Sequence, residues 1–198
     1  MRELVVGFAL GFLDFVWIKY VPFPFGGLGN SIAVWAVAAF LFTYYSRWSV
    51  MRAALSASVM LVVAVPSYYA AAALIQNDDW SYIWSAYSLL WMALGVVAGV
   101  VFGIAGVLAR TVGPLRLPSL GAPGAVLLAE LIMDVRRIGD PSYATADVVE
   151  YSVLLAVLAV LITVLLGRTW RDRALALACA VPLAGVGYLL MIATAFGG

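Results

Sequence analysis

Histidine is absent from this chain, cysteine occurs once, at Cys179, and charged side chains make up only 11% of the 198 residues. The first two absences remove most imidazole, thiol and zinc-type metal chemistry, because too few ligands or nucleophiles remain. A single cysteine also excludes a disulfide within the chain. A net charge of +1 leaves no basic surface for nucleic acid and no acidic tail. No GxxxxGK[ST] loop is present, and Gly26-Gly27-Leu28-Gly29 has neither the preceding strand nor the spacing of a dinucleotide turn. An enzyme of this composition works without a bound metal or cofactor, and draws its acids and bases from Asp, Glu, Tyr, Lys and Arg.

What is present is apolar. Hydrophobic residues make up 66% of the chain, and the mean hydropathy is +1.08, outside the range of soluble domains. The expected fold is all-α: a polytopic bundle in the cell membrane, one integral membrane domain over residues 1–198. Seven apolar segments can be marked, running from about Leu4 to Tyr20, Ser31 to Tyr45, Ala53 to Ile75, Ser81 to Leu108, Leu120 to Ile138, Tyr151 to Gly167 and Ala174 to Phe196. The first is expected to be a retained span rather than a cleaved signal, because Asp14 interrupts its apolar core and no small-x-small site follows. The fifth is the shortest uncharged run and contains Gly121, Pro123 and Gly124, so six spans remain if it is re-entrant. No internal repeat stands out.

The cations orient the bundle. With seven spans and a cytoplasmic N-terminus, Arg2, Arg47, Arg52, Arg110, Arg116, Arg168, Arg171 and Arg173 lie inside, and Lys19, Arg136 and Arg137 outside. That distribution obeys the positive-inside rule. Tyr44, Tyr45 and Trp48 beside Arg47 and Arg52 read as an interfacial aromatic belt with its basic flank.

Periodicity marks the faces. In segment four, Ser81, Trp84, Ser88, Trp91 and Met92 form one helical stripe, which Gly95, Gly99 and Gly103 continue. Small residues four apart permit close helix approach in lipid, so this stripe and Gly7/Gly11 are candidate packing or oligomer faces. Segment six is almost purely aliphatic and suits a lipid-facing or packing span. Pro66 bends segment three, and either opens a cavity or accommodates a neighbour. Phe23, Pro24 and Phe25 suggest that the loop from Val21 to Asn30 is an ordered aromatic cap, and Asn30 or Ser31 can cap the following helix.

Ionisable residues within spans are costly and mark functional sites. Glu130 is the deepest, and Asp134, four residues on, shares its face; Asp14 is the third candidate. A carboxyl removed from water, facing indole and phenol rings, suits proton-initiated cyclisation of a polyprenyl chain. The acid protonates an alkene or epoxide, and ring quadrupoles stabilise the travelling cation. The candidate acids are Glu130, Asp14 and Asp134, and the candidate substrate-binding residues are Trp17, Trp35, Tyr68, Tyr69, Trp84, Trp91 and Asn30. Asp78-Asp79 is followed by Tyr82 and not by the third aspartate of a DDxxD metal motif.

The run Gly29-Asn30-Ser31-Ile32-Ala33-Val34-Trp35, with Ala39-Phe40 and Leu128-Ala129-Glu130, resembles a family of small bacterial multi-pass membrane proteins of unassigned function. In size, span count and acid-plus-aromatic content the chain also looks like the integral-membrane terpene cyclases of bacterial indole- and diketopiperazine-terpenoid pathways. The second resemblance is one of general character, and implies metal-independent cyclisation of a lipophilic prenylated substrate entering from the bilayer. Two other classes fit the same features: a substrate-binding membrane subunit of a vitamin-type importer, with Gly7/Gly11 as its docking face, and a structural membrane protein.

Overall fold

The computed structural model describes residues 1–193, and all regular structure among them is helical. Seven α-helices follow one another: α1 Arg2–Tyr20, α2 Ile32–Tyr44, α3 Val50–Gln76, α4 Ala86–Leu108, α5 Arg116–Val135, α6 Thr145–Leu166 and α7 Trp170–Ala193. Five of them, α3 to α7, are long and apolar enough to cross a membrane. By the same measure α1 is left out because Arg2, Glu3, Asp14 and Lys19 give it too many charged side chains, and α2 because it has only 13 residues.

The chain divides into two compact units, one of Met1–Asn30 with Ala38–Val107, the other of Ser31–Val37 with Leu108 onward. The first unit is built on α3. Gly7 and Gly11 of α1 lie so close to α3 that an added Cβ would overlap the carbonyl oxygens of Met60 and Ala64. Phe15 packs edge-on to Tyr68 at 5.4 Å, and Lys19 Nζ donates to Gln76 Oε1 at 3.2 Å. Because both numbers rise together along the contact, α1 and α3 run parallel. The glycine stripe of α4 meets α3 in the opposite sense, with Gly95 against Leu61, Gly99 against Ser58 and Gly103 against Ala53, so those two helices are antiparallel. Lipid is as apolar as these side chains; close van der Waals contact across glycine, with hydrogen bonds such as Ser58 Oγ to the Val96 carbonyl at 3.0 Å, holds the helices together. Both predicted glycine faces therefore pack against α3 within the chain.

The second unit is built on α5. Gly121 meets Ala176 of α7, Gly187 of α7 meets Ala129, and Arg116 forms a two-pronged ion pair with Asp172 at 2.8 Å on each arm. Here too the first and third helices of a triplet run parallel. Gly124 meets Ala159 and Thr163 of α6, while Tyr151 and Ser152 reach the other end of α5, so α5 and α6 are antiparallel.

The two units share features that sequence comparison within the chain does not reveal. In each, the first helix packs through glycine against a parallel third helix. In each, that third helix carries an internal proline, Pro66 or Pro182. In each, an arginine stacks on a tryptophan near its start, Arg52 on Trp48 at 5.0 Å and Arg173 on Trp170 at 5.7 Å.

Several boundaries differ from those expected. Segment four does not begin as an α-helix: Trp80–Trp84 is a 3-10 turn, and Ser85 adopts extended backbone before α4 starts at Ala86. Side-chain capping causes the break, with Asp79 Oδ1 accepting from Ser81 N–H at 2.8 Å and Ser85 Oγ from Ser88 N–H at 3.2 Å. Ser81 and Trp84 are consequently not on one helical stripe with Ser88 and Trp91. Segment five is a continuous 20-residue helix through Pro123, and α6 begins at Thr145, ahead of the expected Tyr151. The helix of segment three continues unbroken through Pro66. The expected end of segment seven at Phe196 lies outside the described residues.

Candidate functional site

Glu130 lies in the second half of α5, about 21 Å along the helix from Arg116 at 1.5 Å per residue. It is half-buried, and three donors converge on it. Ser31 Oγ donates to Oε2 at 2.9 Å, Ala33 N–H donates to the same oxygen at 3.0 Å, and Tyr151 Oη donates to Oε1 at 2.8 Å. All four residues belong to the second unit.

Each partner has a local origin. Ser31 precedes α2 and caps it, its Oγ accepting from Val34 N–H at 3.1 Å. Ala33 N–H belongs to the first turn of α2, where helical amides have no partner within their own helix. Such a helix start attracts negative charge, and Glu130 supplies the acceptor from another helix. Tyr151 projects from the second turn of α6.

The geometry assigns the proton. An amide N–H can only donate, so Oε2 is committed as an acceptor from Ala33. A hydroxyl both donates and accepts, so the contact between Oε1 and Tyr151 Oη can run either way. When Glu130 carries a proton, that proton belongs on Oε1, directed at Tyr151.

One turn along the same face, Asp134 is 6% exposed. Its Oδ2 accepts from Ser152 Oγ at 3.0 Å and its Oδ1 from Arg137 Nη1 at 3.3 Å. Arg137 also lies over the Tyr143 ring at 4.9 Å. Arg136 turns elsewhere, donating to Tyr188 Oη at 2.6 Å. The two carboxyls thus differ in kind: Asp134 has a guanidinium partner, whereas the partners of Glu130 are two hydroxyls and an amide.

The other expected site residues divide between the two units. Asp14 is buried in the first unit, with Tyr68 and Tyr69 half-buried on α3. Trp17 is 44% exposed and its Nε1 donates to the Phe25 carbonyl at 2.8 Å, tying α1 to the 3-10 turn Phe25–Asn30. Asn30 and Trp84 are exposed, and Trp91 is half-buried in α4. Trp35 is half-buried one turn beyond Ser31, in the unit that holds Glu130. Of the expected residues the second unit holds Glu130, Asp134 and Trp35, and the first holds Asp14, Trp17, Asn30, Tyr68, Tyr69, Trp84 and Trp91. Ser31, Tyr151 and Ser152 were not among the expected site residues. Among the described residues, no group of three or more Cys, Asp or Glu side chains could hold a metal ion.

Long apolar helices packed through glycine, with carboxyls satisfied inside the packing, define the class as a multi-pass helical membrane protein. Within that class, the profile of a family of unknown function, DUF6518, matches residues 1–195, and the chain belongs to that family. Comparison with curated proteins and with solved structures gave no match.

Proposed function

We propose that Glu130 and Tyr151 form a proton-exchange pair inside a cell-membrane protein of seven crossings with a cytoplasmic N-terminus. The observation that carries the exchange is the three-donor cradle, which leaves Oε1 facing a hydroxyl as the reversible contact. Side chains of this kind within a span serve as proton relays or reaction sites.

The seven-crossing reading draws on helix direction. Since α1 and α3 are parallel, the chain between them must return, and the groove between the start of α1 and the end of α2 marks that return. The same reasoning gives α6 as the return between α5 and α7. The preponderance of arginine at the ends named above then favours the cytoplasm for the N-terminus.

The chemistry proposed for the proton is the first step of a metal-independent cyclisation. The proton leaves Glu130 Oε1 for an alkene or epoxide of a prenylated small molecule drawn from the bilayer, and a ring bond forms as the alkene electrons attack the cation. Loss of a proton from the cyclised cation to the carboxylate restores Glu130. Trp35 and Tyr151, both in the same unit as Glu130, are the rings proposed to stabilise positive charge. A second reading, the substrate-binding subunit of an importer, is favoured by α2: its 13 residues span about 20 Å, so a helix start lies at the depth of Glu130, as in transporters with interrupted helices.

Incubation of the purified protein with farnesylated or geranylgeranylated indoles and diketopiperazines tests the first reading. Cyclisation gives an isomer of unchanged mass with fewer double bonds, and Glu130→Gln abolishes it. No product from any of these substrates, together with a polar metabolite retained through purification, supports the importer instead.

A further inference from the structure

The start of α1 and the end of α2, both in the first unit, enclose an open cleft of about 620 Å³. That volume lies within the ~300–1,000 Å³ of small-molecule sites. Its floor is aliphatic and aromatic, from Val5, Val6, Ala38, Leu41 and Phe42, and Arg2, Tyr45 and Ser46 stand at its mouth. Phe42 is held edge-on to Trp48 at 5.1 Å, and the guanidinium of Arg52 lies over that same indole at 5.0 Å. In sequence this end of the unit carries Arg2, Arg47 and Arg52 against the single acid Glu3.

We infer that this cleft is a binding site for an anionic phospholipid, with one acyl chain along the apolar floor and the headgroup phosphate at the end that carries Arg2. Two features select that occupant. The apolar floor of an open cleft suits a hydrocarbon chain and not a polar metabolite. The surplus of arginine, flanked by Tyr44, Tyr45 and Trp48, is of the kind that sits at a membrane–water interface and attracts anionic headgroups. Ser46 Oγ donates to the Phe42 carbonyl at 2.7 Å, which leaves its oxygen as an acceptor. Of the side-chain donors that line the cleft, the Tyr45 hydroxyl and the Arg2 guanidinium remain, and Arg2 is the charged one. The site is independent of the chemistry proposed at Glu130.

Native mass spectrometry of the full chain, released from nanodiscs of equal phosphatidylglycerol and phosphatidylcholine with matched acyl chains, tests the inference. The wild-type protein should retain phosphatidylglycerol several-fold over phosphatidylcholine. Arg2→Gln should lower that preference roughly fivefold, the weight of one basic side chain near an anionic surface. Ala38→Trp, which fills the floor, should remove the retained lipid of both kinds, whereas Arg168→Gln, in the other unit, should change nothing. Thermal unfolding of each variant separates lost binding from lost fold, and Leu41→Trp is the second filler should Ala38→Trp unfold. Equal retention of the two lipids by the wild type, or undiminished preference in Arg2→Gln, would overturn the assignment. So would displacement of the lipid by soluble glycerol phosphate, because the acyl chain would then contribute nothing.

Discussion

Replacement of Glu130 by alanine removes the acceptor for three donors at once, and the structure sets bounds on the cost. Ala33 N–H is fixed by the start of α2 and cannot turn away, so at least one buried donor is orphaned, at about 1–3 kcal/mol. The hydroxyls of Ser31 and Tyr151 can rotate toward other acceptors, so the upper bound of three orphans, about 3–9 kcal/mol, is not approached. Interhelical hydrogen bonds in membranes average only about 0.6 kcal/mol, because the unfolded chain in lipid also finds partners. The expected loss is therefore about 2–4 kcal/mol for Glu130→Ala. Glu130→Gln should lose about 1 kcal/mol, since its amide oxygen still accepts from Ala33 and its NH₂ can donate to Tyr151. Tyr151→Phe removes one contact and should also cost about 1 kcal/mol. Reversible unfolding in bicelles, by denaturant titration of each variant, measures these differences. A Glu130→Ala protein within 0.5 kcal/mol of wild type, or Glu130→Gln as damaging as Glu130→Ala, would show that the three contacts do not hold α2 as described.

Four other perturbations follow from the packing and the loops. Gly11→Val places a side chain into the Ala64 carbonyl and should destabilise the first unit by more than the ~1–3 kcal/mol of ordinary overpacking, seen as a lowered unfolding midpoint. Gly185→Ala, on the equally glycine-rich α7, has nothing within 4 Å of the added carbon and should be neutral in the same assay. For Arg116 and Asp172, single alanine variants should each lower stability and the double variant should lose less than their sum; strict additivity in that cycle would mean the two-pronged pair contributes nothing. Asp79 accepts from Ser81 N–H, which holds its carboxyl below the usual carboxylate range. The cap is thus complete above the ordinary aspartate pKa and lost as pH falls through the lowered folded value, so the protection of the Ser81 amide, corrected for its intrinsic exchange rate, should fall only in that acidic window, and Asp79→Ala should show the lowered protection already at neutral pH.

How far the sequence could be read depended on whether the signal was local. Gly95, Gly99 and Gly103 announced a packing face, because three glycines four apart have no other common cause in an apolar run, and Asn30-Ser31 announced a helix cap, which Ser31 provides. The partner of each face was invisible, since nothing in Gly7-xxx-Gly11 says that Met60 and Ala64 will meet it. Glu130 stood out because a carboxyl in a span is rare. Tyr151 and Ser152 did not, because they sit at the polar end of an aliphatic segment, and their approach to Glu130 and Asp134 depends on the antiparallel register of α5 and α6. The break at Ser85 was concealed by hydrophobic periodicity, which continues through the 3-10 turn, whereas the deciding hydrogen bonds come from Asp79 and Ser85. The likeness between the two units rests on helix direction and on stacking of Arg52 and Arg173, and few residues are shared at matching positions.

The central claim is that Glu130 exchanges a proton at the oxygen facing Tyr151. Infrared difference spectroscopy of the protein in lipid, recorded while pH is varied, tests it most directly. The expected result is a protonated-carboxyl band that appears and disappears with pH, is missing in Glu130→Gln, and shifts in Tyr151→Phe through loss of the hydroxyl partner. A Glu130 carboxyl that keeps one protonation state across the whole accessible pH range, or a band indifferent to Tyr151→Phe, would contradict it.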